Sequence, residues 1–238
     1  MSSPALPRCR VIAEFTSNHL GDDRIVTAML TEAKRVGVDV VKFQSWQASQ
    51  LRKDFSDYDA TFARHKSAEL SDEHHRRIIA QCRELGLEFL TTCFDQNRVD
   101  FLASLGVPAI KVASPDATSW ALLEKLAAKF QTLFISTGLI SNAELDELLR
   151  RLDPKQVVIF HCISLYPTPP DQVNLARMEF IRERGFRVGF SDHTEGPEAA
   201  MLAIARGAEF IEKHFTLDKG MEGPDHKSSL LPSELAEL

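Results

Sequence analysis

Phe186-Arg187-Val188-Gly189-Phe190-Ser191-Asp192-His193-Thr194 and, after a helical segment from Pro197 to Arg206, Ala208-Glu209-Phe210-Ile211-Glu212-Lys213-His214-Phe215-Thr216 decide the fold. Each stretch opens as a short apolar run, as a buried strand does, and closes on a polar motif that carries one histidine. Strand, helix and strand in succession make a βαβ unit, whose two strands lie parallel and end at the same edge of a sheet. His193 and His214 are therefore expected side by side at a C-terminal edge. Two neutral imidazoles with open positions around them suit a divalent catalytic metal. The plainer alternative, for either residue alone, is a hydrogen-bonded strand end.

The same alternation extends over the rest of the chain. Strands are expected at Arg10 to Phe15, Val38 to Phe43, Leu87 to Thr92, Ala109 to Ala113, Gln131 to Ser136, Val157 to His161, Arg187 to Ser191 and Ala208 to His214. Helices are expected between them at Asp23 to Val36, Ser71 to Leu85, Asn97 to Leu105, Ser119 to Lys129, Asn142 to Leu152, Val173 to Arg184 and Pro197 to Arg206. Gly37, Gly86, Gly106, Gly185 and Gly207 stand where a glycine stops a helix before the next strand. Eight such units predict an α/β fold, a (β/α)8 TIM barrel over residues 10–238 as a single domain, preceded by a tail over residues 1–9. Only Pro232 to Leu238 remain for the last helix, which should be short or incomplete.

Composition narrows the function. A formal charge of -6 over 238 residues, with no clustered Lys or Arg, speaks against a nucleic-acid surface but leaves room for a small anion held by local cations. No apolar run reaches membrane-spanning length, and Met1 to Pro7 lacks the apolar region of a signal peptide, so a cytoplasmic protein is expected. Cys9, Cys82, Cys93 and Cys162 form no CxxC pair and read as reduced thiols. The stretch Ser45 to Leu70, with Trp46, Phe55, Tyr58 and Phe62, is either a surface loop with a packed helix or a lid or part of a pocket. Glu14, Lys42, Gln44, Thr91, Thr92, Lys111, Ser114, Ser136 and Ser191 all fall at strand ends, where they should face one rim. Two lysines among hydroxyls make a cradle for phosphate and carboxylate; a buried lysine that pairs with Glu14 is the alternative for either one.

Val11-Ile12-Ala13-Glu14, Asn18-His19, Val41-Lys42-Phe43-Gln44, Ile110-Lys111-Val112-Ala113-Ser114, Ser136-Thr137-Gly138, His161-Cys162, Tyr166-Pro167-Thr168-Pro169, the two histidine motifs and Gly223-Pro224-Asp225-His226 occur in an order that resembles the catalytic barrel of the sialic acid (N-acetylneuraminate) synthases. The resemblance runs from about Arg10 to Leu235. It implies condensation of phosphoenolpyruvate with an aldose to give a 2-keto-3-deoxy acid and phosphate. It further implies a divalent ion, manganese first with magnesium or cobalt as alternatives, held by His193 and His214. Phosphoenolpyruvate would be bound by Lys42, Thr92, Lys111, Ser114, Ser136, Ser164 and Ser191. Glu14 and Glu212 would handle protons and water, with His19 orienting that layer or else fixing the loop Thr16 to Gly21. Gln44, Asp116, Tyr166 and Asp225 would face the acceptor. A homo-oligomer is compatible with all of this.

Departures from the family pattern are Cys93 for a usual proline, Pro115 for glycine, Asp116 for glutamate and Ser164 for an asparagine. Family members usually continue into a small antifreeze-like domain, whose arginine reaches the acyl-amino end of the acceptor in the partner subunit, and this chain stops first. N-acetylmannosamine is accordingly expected not to be the best acceptor of this chain alone. Two other function classes were weighed. A metal-dependent hydrolase on a similar barrel would place His-x-His on the first strand, where Glu14 stands. A non-catalytic barrel that binds a phosphorylated metabolite or a protein partner would not need Glu14, Lys42, Lys111 and both histidines together.

Overall fold

The structure is a computed structural model that describes residues 8–54 and 57–238. In chain order it runs β1 (Arg10–Glu14), α1 (Asp23–Val36), β2 (Val40–Ser45), α2 (Tyr58–Ser67), α3 (Asp72–Leu85), β3 (Glu88–Cys93), α4 (Val99–Ser104), β4 (Ala109–Val112), α5 (Trp120–Ala127), β5 (Thr132–Ser136), α6 (Asn142–Arg151), β6 (Val157–Cys162), α7 (Ala176–Arg182), β7 (Arg187–Asp192), α8 (Glu198–Ala205), β8 (Phe210–His214) and α9 (Pro232–Leu235). The eight strands close in sequence order into one parallel barrel. Closure joins β8 to β1 over five registered pairs, from Arg10 with Phe210 to Glu14 with His214. The (β/α)8 expectation holds, and the short α9 does not weaken the seam.

Strand alternation divides the apolar residues into two layers. Ile12, Val40, Leu90, Phe134, Val158, Phe160 and Phe210 fill the lower barrel. The opposite faces of the strands pack against the helices, as Val112, Leu133 and Ile159 do in one cluster and Ala13, Val41 and Phe43 in another. Each fully buried side chain of this size stabilises the fold by about 1.5–3 kcal/mol relative to exposure. Among the described residues no helix is long and apolar enough to cross a membrane.

Three of the strands that begin later than the apolar pattern suggests, β2, β3 and β8, do so for one reason. After α1, Gly37 adopts φ 87°, and Val38 still donates its N–H to Ala33 O, so β2 starts at Val40. Leu87 N bonds Cys82 O and Ala208 N bonds Ala203 O in the same way. The residue after each stop glycine belongs to the helix cap and is lost to the strand. Val173 to Arg184 shortens to α7 because Asn174 takes a positive φ of 48°, and α4 is preceded by a separate 3-10 turn at Gln96–Arg98. The Ser45 to Leu70 stretch contains α2, the helix expected by the surface-loop reading of this stretch. Phe55 of that stretch and the first seven residues of the expected tail lie outside the described residues.

Candidate active site

Inward-facing polar residues sit one layer above the apolar floor. On β1 and β2, Ile12 and Val40 point into the floor, and two residues on, Glu14 and Lys42 point into a cavity of about 240 Å³ at the C-terminal mouth. The same step takes Leu90 to Thr92, Phe134 to Ser136 and Phe210 to Glu212, all of the latter lining the cavity. Gly189 gives Phe160 the room to complete the floor, since a Cβ there would lie 2.6 Å from the ring.

Both lysines are ion-paired. Lys42 Nζ is 2.7 Å from Glu14 Oε2 and 3.7 Å from Glu212 Oε2, while Lys111 Nζ is 2.9 Å from Glu212 Oε2. Lys42 also donates to Thr92 Oγ1 at 3.1 Å, Ser191 Oγ to Glu212 Oε1 at 2.8 Å, and Gln44 Nε2 to Glu14 Oε1 at 2.7 Å. The plainer sequence alternative, a lysine paired with Glu14, is thus true of Lys42, and Lys111 has its own carboxylate. An entering anion meets two cations already balanced by two acids.

Those acids differ. Burial pushes the Glu14 carboxyl up to about 7, against the pull of Lys42, and the neighbouring Glu212 adds to the rise. Burial acts upward on Glu212 too, but Lys111 and Lys42 outweigh it and hold this carboxyl below its usual range. Of the lysines, Lys111 is lowered, chiefly by burial, and Lys42 is raised because its two carboxylates overcome burial. The arrangement therefore holds one fixed anion and one carboxyl poised to exchange a proton near neutrality.

On the Lys111 side, Ser114, Ser136, Cys162 and Ser164 line a hydroxyl-rich end of the cavity. Gly138 N donates to Ser114 Oγ at 2.9 Å. A Cβ on Gly138 would lie 2.6 Å from Ser164 Oγ and 2.7 Å from Cys162 Sγ, so this end stays open only because residue 138 is glycine.

His193 and His214 reach the same cavity with ring centroids 5.4 Å apart. His193 Nδ1 faces Ile163 O at 2.7 Å and must donate to it, which leaves the Nε2 lone pair free. His214 Nδ1 is buried without a protein partner. Burial lowers the pKa of both, and His193 lowers that of His214 further, so both rings are neutral at pH 7. Two neutral imidazoles with unspent nitrogens fit a divalent ion. Among the described residues no cluster of three or more His, Cys, Asp or Glu forms a ligand cage, so such a site would stay open on the cavity side. Tyr166 covers it, its ring 4.2 Å from that of His193.

Thr91 and Asp116 need correction, His19 takes the second of its two expected readings, and Asp225 stands beside the main cavity. His19 does not line the cavity; it is fully buried, and its Nδ1 accepts from Gly21 N at 3.0 Å, fixing its own loop. Thr91 points out of the barrel, one residue out of phase with Thr92, and is buried there with Oγ1 unpartnered. Asp116 does not line the cavity and instead accepts from Ser119 Oγ at 3.2 Å, in the turn that leads to α5. Asp225 lines a neighbouring pocket with Ser17, Trp46 and Arg64, which meets the main cavity at Gln44. Cys162, Phe94 and Leu139 line the main cavity without having been singled out. Cys162 was legible from its even spacing to Phe160, whereas Phe94 and Leu139 stand on loops where no period operates.

A parallel barrel whose mouth gathers two lysines, two acids and two neutral histidines defines a (β/α)8-barrel enzyme acting on small polar substrates. The chain belongs to the NeuB family, which it matches over residues 29–238, and is thereby a phosphoenolpyruvate-dependent synthase that forms carbon–carbon bonds. It is 40% identical over 96% of its length to an uncharacterized protein of Methanocaldococcus jannaschii, covering 68% of that protein. It is 35% identical over 97% of its length to the N,N'-diacetyllegionaminic acid synthase of Legionella pneumophila, covering 70% of it. The crystal structure of an N-acetylneuraminic acid (sialic acid) synthetase from Leptospira borgpetersenii, in complex with citrate, superposes with a TM-score of 0.89 at 30% identity, over 97% of this chain and 81% of that one.

Proposed function

We propose that this chain condenses phosphoenolpyruvate with an aldose, in a divalent-metal-dependent reaction, to give a 2-keto-3-deoxy sugar acid of the sialic acid type and inorganic phosphate. The observation that carries this reading is the buried Glu14–Lys42–Glu212–Lys111 array beside a neutral histidine pair in one cavity. Family membership and relatives named for legionaminic and sialic acid synthesis support it.

Lys42 and Lys111 hold the phosphate and carboxylate of phosphoenolpyruvate, with Thr92, Ser114, Ser136, Ser164 and Ser191 donating hydroxyls. Fixing the methylene carbon against the aldehyde removes much of the entropic barrier. His193 and His214 hold the divalent ion, which supplies Lewis-acid polarisation of the acceptor aldehyde. The methylene carbon bonds to the aldehyde carbon, whose oxygen takes up a proton as the new hydroxyl, and water adds at the carbon bearing phosphate as Glu14 takes its proton. The bond from that carbon to the phosphate ester oxygen then breaks as the added hydroxyl loses its proton, giving the keto group and inorganic phosphate. Gln44, Tyr166 and Asp225 receive the acceptor, which extends toward Trp46 and Arg64.

Phosphate release from phosphoenolpyruvate across a panel of aldoses tests the reading, with phosphoenolpyruvate labelled by heavy oxygen at the bridge. Label is expected in phosphate; label retained in the keto acid, or no turnover with any aldose, overturns it. The same panel ranks N-acetylmannosamine against the other aldoses. Metal analysis of His193→Ala and His214→Ala is expected to show loss of most bound ion, and full occupancy in both refutes the ligand assignment.

A further inference from the structure

Behind the two histidines, on the outer side of the barrel wall, lies a second ion pair that does not line the main cavity. Lys213 Nζ donates to Asp192 Oδ2 at 3.0 Å and to Thr194 O at 2.7 Å. Asp192 Oδ1 accepts from Thr194 N at 2.8 Å. Both charged residues are 1% exposed. By alternation Asp192 and Lys213 point outward where His193 and His214 point inward, so each histidine has one member of the pair beside it in sequence.

The main-chain pairing of β7 with β8 stops one residue short of joining the two histidines directly. The β7–β8 ladder ends at Asp192 with Lys213, and His193 lies beyond its last rung. Lys213 reaches past that end and grips the residues on both sides of His193. A buried ion pair adds little stability over an apolar pair of equal volume, and its best-attested use is to fix one arrangement. Here the arrangement fixed is the separation of two imidazoles.

We infer that Lys213 and Asp192 are positioning residues that hold His193 and His214 at the spacing a divalent ion requires. The inference rests on the metal reading proposed above. Its test is the double variant Lys213→Met with Asp192→Asn, which leaves no lone buried charge and keeps an acceptor for Thr194 N. Metal-stripped wild type and variant are titrated with Co²⁺ alone, following calorimetric affinity and the visible d–d spectrum, and thermal melting is recorded without metal. The variant is expected to fold, to bind Co²⁺ about 10–100-fold more weakly and to show a changed spectrum, as loss of support to metal ligands does elsewhere. Unchanged affinity and spectrum, with only the melting point lowered, overturn the inference and leave the metal reading standing. A wild type that binds no Co²⁺ or Mn²⁺ overturns both. Should the double variant not fold, Lys213→Gln, which still donates to Thr194 O but carries no charge, is expected to shift affinity and spectrum in the same direction, and the wild-type spectrum in it refutes the role.

Discussion

Glu14 and Glu212 are chemically identical side chains on neighbouring strands, yet their surroundings separate them. Glu14 must give up its proton to act as a base, so kcat/KM is expected to rise with pH through about 7, the value to which burial pushes it. Glu14→Gln should remove that limb from a pH–rate profile, and a profile with the same limb assigns it to another group. Lys111 answers to stability and binding together. Lys111→Met leaves Glu212 buried without its nearest cation, which should cost about 3–5 kcal/mol in urea denaturation. Affinity for phosphoenolpyruvate by calorimetry should fall about tenfold or more. Undiminished affinity would remove Lys111 from the anion site. The sequence showed these residues because charged groups at the ends of buried strands have no structural reason to recur. Their pairing stayed hidden, since which lysine meets which carboxylate is set across the barrel by residues as distant as Lys111 and Glu212.

At the scale of elements, the eight strands and the helices between them were legible because the apolar period changes from 2 to 3.6 at each boundary. Boundaries moved where a cap claimed residues, as at Val38, Leu87 and Ala208. The helix α2 was legible only as the helix of one reading of Ser45 to Leu70, without bounds: none of its described side chains is buried, so no apolar stripe marks it. Facing also follows from period two, and Thr91 was misplaced only where that rule was set aside for its neighbour. One tight fit between strands is Gly189 of β7 against Phe160 of β6. Gly189→Ala is expected to destabilise by about 1–3 kcal/mol through overpacking, read as a lowered urea midpoint with an unchanged slope. An unshifted midpoint would mean the floor is looser than it looks.

For the whole molecule, acid sensitivity is set away from the cavity. His19, His75 and His161 are buried and each held at a pKa of about 4, burial being the main cause. Lowered from 6.5, they contribute stability that is complete above pH 6.5 and lost as the pH falls through 4. Glu14, raised from 4.5 to about 7, works with the opposite sign, its contribution fading as pH rises across that range. The histidines outnumber it. Denaturation between pH 6.5 and 5 should show a net uptake of about one to two protons on unfolding, and a flat profile would contradict the burial of these rings. The barrel seam carries a different consequence. Glu14 pairs with His214 across β1 and β8, and Asn18 Nδ2 clasps Phe215 O at 2.9 Å, 197 residues along the chain. Glu14, the first of the proposed site residues to leave a ribosome, must therefore wait for the last strand before it has a histidine beside it. Synthesis order thus acts as a safeguard: a growing chain can form most of its helices and strands, but it owns no reactive centre until the two ends of its sheet have met.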